Sequence, residues 1–279
     1  IGGAGIVACN VAQLSAETHF LSVAGDDHSL KFAKSILQQF NVKSKIFIDE
    51  NRPTTTKTRF IAGSQKLFRS SRLMDTDIST GMEDFLINEI ENLGPLIDNI
   101  IVSDFVYGVI TPRLISKIYE ISQRFEINLY GDLQCSSQVG SILKLKDFDV
   151  IFPTEREARV ALNNKDDGLE YISRQLFERA HCKNLILKLG SDGLIAYFKR
   201  DNGFIESEHF PALNQTPIDV SGAGDSVLAF ISSATTAGMS LFEASALGSV
   251  AAAVSVERMG NLPIDIDLVS EKLESLNIF

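Results

Sequence analysis

The sequence predicts an α/β fold built on a mostly parallel central sheet with helices on both faces. Two observations carry that reading. Short β-branched or apolar runs alternate with amphipathic stretches of helical period along most of the chain, the pattern of strands joined by crossover helices. The 279 residues, 44% hydrophobic and 22% charged with 19 Gly and 7 Pro, are also enough for a sizeable core without disulfide staples. No repeat, low-complexity tract or Pro/Gly/Ser linker interrupts the pattern.

Taken in order, a helix is expected over 5–14, directly after the opening glycines, and a strand over 19–23. A helix over 30–40 follows, then one over 84–93. Strands at 100–103, 127–130 and 150–152 alternate with helices at 112–125 and 155–162. A helix over 169–180 leads to strands at 185–188 and 194–198. The stretch 226–256 has Glu243 as its only charge and looks membrane-like at first sight. It is rich in Ser, Thr, Ala and Gly and is broken at Ala237-Gly238-Met239, so it reads as two buried helices. A terminal helix is expected from Asp267.

One segment breaks the alternation. Residues 45–71 contain no convincing helix and read as extended pieces at 45–49, 55–62 and 66–71, with a turn at Gly63-Ser64. The expectation is a hairpin-like flap of about residues 45–71 inserted in a single domain spanning 1–279, placed to act as a lid. An edge hairpin without a role is the plain alternative.

The balance of 26 Lys+Arg against 36 Asp+Glu gives a formal charge of −10, which would repel a phosphodiester backbone or an anionic membrane. Neither nucleic acid nor membrane is expected as a partner. Cys9, Cys135 and Cys182 are odd in number and far apart, which suggests no disulfide framework and no zinc knuckle. A reducing cytoplasm fits best. The chain opens on Ile1-Gly2-Gly3 without Met or signal peptide, so an upstream piece is expected to have been lost or left out.

The most informative run is Ile218-Asp219-Val220-Ser221-Gly222-Ala223-Gly224-Asp225-Ser226, leading straight into an apolar helix. Two glycines and an alanine at a helix start let main chain approach a ligand closely, and the first N–H groups point where the helix dipole favours negative charge. Asp225 at the edge of such an anion site could accept a proton from a hydroxyl while the amides of Gly222, Ala223 and Gly224 stabilise a transferring phosphoryl group. A tight turn with Asp225 as a helix cap is the commoner fate of such a run in isolation. Neither a Walker-type loop nor a full dinucleotide fingerprint occurs, and Gly2-Gly3-Ala4-Gly5 has the wrong spacing for a dinucleotide-dependent oxidoreductase.

Asp219-Val220-Ser221-Gly222-Ala223-Gly224-Asp225 resembles the Asp-Thr-x-Gly-Ala-Gly-Asp signature of the ribokinase-like (PfkB) sugar kinases. Other landmarks fall in the right order along essentially the whole chain. Gly2-Gly3-Ala4-Gly5 is similar to their N-terminal glycine motif, and Lys188-Leu189-Gly190-Ser191-Asp192-Gly193 resembles their nucleotide-side turn. Pro153-Thr154-Glu155-Arg156-Glu157 resembles their Asn-x-x-Glu element, and 251–260 their adenine-side helix and cation loop. Within the family, Pro53-Thr54-Thr55-Thr56-Lys57-Thr58-Arg59, Arg69 and Ser103-Asp104-Phe105 look like the heptose-phosphate kinase portion of bacterial ADP-heptose synthesis proteins.

The resemblance implies a three-layer ribokinase-like sandwich with a small β lid, and an ATP-dependent kinase using Mg²⁺ and a K⁺-like cation. Asp225 would be the general base, with Gly222, Ala223 and Gly224 as the anion hole. The acceptor would be a sugar or sugar phosphate, held by Gly2, Gly3, Asp104, Lys57, Arg59 and Arg69. Lys57 and Arg59 alternate to one face of a strand, so two cations could grip a dianion; a charged edge that discourages aggregation is as good a reading of either alone. Lys188, Gly190, Gly193, Asp219 and Ser249 would lie on the nucleotide side, Glu157 would organise Mg²⁺ through water, and Asp219 and Ser221 would lie near a monovalent cation.

Departures from the family pattern fall mostly on sugar recognition. Ile6 stands where an Asn usually contacts the sugar, with Asn10 one turn later as the candidate to compensate. Thr154 replaces an Asn, Tyr107 a Lys, Leu133-Gln134 a Pro-Lys, and Ser249 an Asn. In the family an upstream segment holds the first strand and a sugar-binding Asp. Exposed flap strands suggest a homodimer paired through the lid. A degenerate, non-catalytic sugar- or nucleotide-binding module is the competing reading, favoured by Ile6 and Thr154 and disfavoured by Asp219 and Asp225.

Overall fold

The structure is a computed structural model that describes residues 1–62, 65–135 and 138–276, so the turn expected at Gly63-Ser64 lies outside the described residues. In chain order the elements are α1 (Ala4–Gln13), β1 (His19–Ala24), α2 (His28–Gln39), β2 (Lys43–Ile48), β3 (Thr56–Ala62), β4 (Gln65–Arg72), α3 (Thr80–Leu93) and β5 (Asn99–Asp104). There follow α4 (Pro112–Phe125), β6 (Asn128–Leu133), β7 (Val150–Ile151), α5 (Glu155–Leu162), α6 (Leu169–Ala180), β8 (Asn184–Lys188), β9 (Leu194–Lys199) and β10 (Ile205–Phe210). The chain closes with α7 (Ala223–Thr236), α8 (Leu241–Ser255) and α9 (Ile266–Ser275). The two buried helices expected within 226–256 are α7 and α8.

Six strands form the central sheet in the order β10-β9-β8-β7-β6-β5. β5 through β8 are parallel, and β9 and β10 add antiparallel to the far side. Alternation along each strand divides the core. Leu129, Leu185 and Leu187 face α3, α4, α5 and α6, while Tyr130, Ile186 and Ala196 face α1, α7 and α8. Helix, sheet and helix therefore make three layers, as expected.

The structure corrects the reading in three places. The piece expected at 45–49 is not flap: it belongs to β2, which pairs in parallel with β1, from His19↔Lys43 to Ala24↔Ile48. The flap is the hairpin β3–β4 alone. β1 was expected in the main sheet, yet β1 and β2 form a separate two-stranded sheet, and an arm of the large cavity runs between β1 and β5. β10 was missed because Ile205-Glu206-Ser207-Glu208-His209-Phe210 is largely polar, as suits a sheet edge, which charge protects from further pairing.

The hairpin is anchored at its base. Arg52 is buried, and its guanidinium donates to the carbonyls of Met74, Thr76 and Tyr107, joining the two chain ends that carry β3 and β4. Asp27 caps α2 through Leu30 N–H and accepts from Thr54 N–H with its other oxygen.

Candidate active site

A cavity of about 2310 Å³ opens at the C-terminal ends of the parallel strands, where side chains from several βα junctions converge. α7 begins on its wall. Its N-cap is Gly222 at φ 90°, with no side-chain cap, so the first N–H groups are left for a ligand. A Cβ on residue 222 would lie 2.0 Å from Asn261 Oδ1, so glycine here serves both the positive φ and the close approach of Asn261. Ala223 and Gly224 line the same wall, and Lys188 Nζ stands 3.4 Å from where a Cβ on residue 224 would sit.

Asp225 lies in the first turn of α7 and is only 6% exposed. It is not a helix cap. Its Oδ1 accepts from Gln134 Nε2 at 2.6 Å and its Oδ2 from Asn261 Nδ2 at 3.4 Å. Behind it, Asp132 on β6 is fully buried, ion-paired to Lys188 at 2.8 Å and bonded to Gln134 at 3.2 Å. Burial, reinforced by the Asp132 charge, pushes the Asp225 carboxyl up from 3.8 to about 6. Burial likewise raises Asp132, against the pull of Lys188. A carboxylate held near neutrality beside an uncapped helix N-terminus suits proton abstraction next to a phosphoryl group.

Elsewhere on the cavity wall, Gly2 and Gly3 lie where α1 begins, again with no side-chain cap. A Cβ on Gly3, at φ 59°, would lie 3.2 Å from the Phe105 ring. The hairpin register sets Arg59 opposite Arg69 and Lys57 opposite Ser71, so the three cations share one face, and all three line the cavity. Lys57 Nζ lies 4.9 Å from the Phe105 ring and 5.2 Å from the Tyr107 ring, within cation–π range. Asp104 also lines the cavity, but its carboxylate is paired with Lys144 at 2.8 Å and accepts from Val106 N–H, so its first role is to hold this corner.

Asn10 is a correction. It is fully buried, and its Oδ1 accepts from Ile264 N–H, so it secures the chain before α9 instead of lining the cavity. Ile6 is also fully buried, in the interior of α1.

At another part of the wall, Gly190 and Gly193 bound a single 3₁₀ turn between antiparallel β8 and β9. Gly190 has open space beside it on the cavity wall, whereas Gly193 is pressed against the Phe210 carbonyl. Ser249 on α8 lines the cavity with a buried Oγ that has no hydrogen-bond partner, a polar atom ready for a ligand such as a nucleotide base. Asp219 is buried behind the cradle, its oxygens accepting from Ser221 and Gly260 N–H, so it orders the turn and does not form cavity wall. Ser221 does line the cavity.

Glu157 lines the cavity and forms a capping box with Thr154, while its Oε1 also accepts from Cys135 N–H. A single lone pair on each oxygen remains, enough to hold a hydrated Mg²⁺ through water and too little to cage a bare ion. The residues therefore fit a metal held chiefly by phosphates and water. Sequence reasoning did not place Asp132, Lys144 or Asn261 in the site. Gln134 was noticed only as a departure, because nothing local shows that it reaches α7.

The chain matches the pfkB family carbohydrate kinase profile over residues 1–265. It is 28% identical over 267 residues to the bifunctional protein HldE of Geobacter metallireducens, covering 93% of this chain and 52% of that protein. It is 30% identical over 268 residues to HldE of Campylobacter fetus, with 94% and 55% covered. The chain thus spans about half the length of these curated relatives. Among solved structures, phosphofructokinase-2 from Escherichia coli in complex with potassium superposes with a TM-score of 0.82 at 14% identity, covering 99% of this chain and 87% of that one. Ribokinase from Thermotoga maritima gives 0.73 at 19%, with 96% and 86% covered. Those two likenesses establish the ribokinase-like fold, and the profile match over nearly the whole chain establishes more: the chain belongs to the pfkB family of carbohydrate kinases, phosphotransferases that act on a sugar hydroxyl.

Proposed function

We propose that this chain transfers the γ-phosphoryl group of ATP to a hydroxyl of a sugar phosphate. The observation that carries the reading is Asp225, nearly buried beside the uncapped start of α7. The acceptor oxygen attacks the γ-phosphorus, its proton passes to the Asp225 carboxylate, and the bond to the β-phosphate oxygen breaks to release ADP. Amides of Gly222, Ala223 and Gly224 stabilise the charge that develops. Gly190, Gly193 and Ser249 shape the nucleotide side, and Lys188 adds a positive charge next to the cradle.

Mg²⁺, reached by Glu157 through water, would neutralise phosphate charge. A K⁺-like cation near Ser221, on the turn ordered by Asp219, would do so more weakly. Residues 1–279 act as one kinase unit, with β3–β4 as a lid that excludes water from the transferring group. The lid cations Lys57, Arg59 and Arg69 hold the phosphate that the acceptor already carries, and the α1 start at Gly2 and Gly3 helps bind it. Phe60 and Phe68 stack with centroids 4.2 Å apart on the opposite, exposed face of the hairpin, the surface through which two copies would pair. Burial pushes the thiols of Cys9 and Cys182 up to about 11 and about 12, so both are poor nucleophiles. No helix among the described residues is long and apolar enough to cross a membrane.

Two departures that favoured a non-catalytic binding module have structural duties. Ile6 fills core, and Thr154 caps α5 in concert with Glu157.

A panel of sugar phosphates and their unphosphorylated counterparts, read by coupled ADP release, tests the proposal. Phosphorylated acceptors are expected to turn over; ATP and sugar binding by calorimetry with no ADP from any acceptor would select the binding-module reading. Replacing Lys57 and Arg59 together by Ala should raise KM for the phosphorylated acceptor about 10- to 100-fold with kcat little changed, because both cations bind ground and transition states alike. The pH profile of kcat/KM should rise through about 6 and level above it, since Asp225 works only when ionised and its carboxyl is raised to about 6.

A further inference from the structure

The Asp225 carboxylate is nearly buried at the cavity wall, so its protein neighbours largely set its orientation. Gln134 is the closest of them. It follows β6 directly, on backbone pinned by Gln134 N–H to the Asp104 carbonyl at 2.8 Å and by Cys135 N–H to Glu157. Its Nε2 stands between two carboxylates, 2.6 Å from Asp225 Oδ1 and 3.2 Å from Asp132 Oδ2. The amide can face only one way, because the opposite flip would set its carbonyl oxygen against both acids.

We propose that Gln134 is a positioning residue for the base: its amide separates two buried carboxylates, occupies Oδ1 of Asp225, and leaves Oδ2 to take the acceptor's proton. The proposal rests on the kinase reading and adds which oxygen works and what holds it. Among the described residues, Oδ2 has only the 3.4 Å hydrogen bond from Asn261, weak enough for an incoming hydroxyl to replace. Oδ1 is spent on Gln134.

The charged groups around Asp225 are few. Asp132 faces it from β6, and Lys188 from β8 balances Asp132, while Glu157 at the start of α5 adds negative charge behind Asp132. Removing the amide leaves Asp132 and Asp225 facing each other without a donor between them. Asp225 would then hold its proton to higher pH or turn away from Asp132, and either change disables the base.

The test follows the ¹³C carboxyl signal of Asp225, assigned by its absence in Asp225→Asn, through a pH titration of the whole chain. Gln134→Leu should move the midpoint upward from about 6. Gln134→Lys, which keeps a donor and adds positive charge, should move it downward. In ADP-release assays Gln134→Leu should lose about 10- to 100-fold in kcat with KM for ATP within about twofold, and its acid limb should follow the carbon midpoint. Gln134→Lys should recover most of the rate near neutral pH.

A midpoint and kcat unchanged in Gln134→Leu would overturn the proposal. So would a lowered melting temperature with an unmoved acid limb, the signature of a merely structural amide. If Gln134→Leu does not fold, an unmoved midpoint in Gln134→Lys overturns it equally. Should the unsubstituted chain release no ADP with any acceptor, the kinase reading fails by itself, while the carbon titration still decides whether Gln134 governs Asp225.

Discussion

Asp225→Asn should lose acceptor-dependent ADP release by about 10²- to 10⁴-fold while ATP still binds, since an amide keeps the shape of the carboxyl but cannot take a proton. The loss should fall on kcat, with KM for ATP near its original value. Stability should move the other way. The Asp225 carboxyl is raised from 3.8 to about 6, so in the folded chain it resists ionisation. That penalty is absent below 3.8, grows as pH rises towards about 6 and is complete above it, where it is on the order of 3 kcal/mol. An amide escapes the ionisation cost, although it must face Gln134 Nε2 and Asn261 Nδ2 with a single acceptor atom, which offsets part of the gain. Denaturant melts at pH 5 and pH 8 check the sign: the variant's advantage should be larger at pH 8. A buried acid that weakens the fold yet is needed for turnover is the expected trade between stability and activity.

Gly193→Ala should be far more damaging than Gly190→Ala in the same turn. Gly193 has φ 90°, and a Cβ there would lie 2.0 Å from the Phe210 carbonyl oxygen and 2.7 Å from Ala212 N. These are backbone atoms of the segment leaving β10, so neither can swing aside. Left-handed strain and forced separation together should cost about 4 kcal/mol, read as a Tm lower by roughly 10 °C. Gly190→Ala is the control. It shares a positive φ, at 64°, but meets nothing within 4 Å, so only about 1 kcal/mol of backbone strain is expected. If both variants melt together, the clash with Phe210 is not what demands glycine at 193.

Most of the helices and the parallel strands were legible because each carries its own periodicity. α4 and α6 show an apolar face at helical spacing, and β5, β6 and β8 are short apolar runs between them. The misses share one cause. β2 has the same extended character as the hairpin that follows it, and only its pairing with β1 distinguishes sheet from flap. β10 is polar because it lies at an edge, so its strand state depends on β9, its neighbour in the sheet.

The same division runs through the site. Local chemistry in the Asp219 to Asp225 run raised an anion cradle beside an acid and left a capped tight turn as the alternative; the structure leaves α7 without a side-chain cap and holds Asp225 on Gln134 and Asn261. Family resemblance then put Lys57, Arg59 and Arg69 on a flap, and the hairpin register set them on one face. Asn10 failed because it shares a face of α1 with Ile6, one turn earlier, and that face packs into the core and does not line the cavity.

By itself, then, the sequence determined the α/β architecture, through periodicity, and the family, through the resemblance of its motifs, and it marked Asp225 after a glycine-rich helix start as the candidate base. Only the tertiary structure decided that Gln134, Asp132, Lys188 and Asn261 surround that base. They come from three separate places in the chain, and electrostatic coupling depends on distance in space, which no spacing along the chain reports.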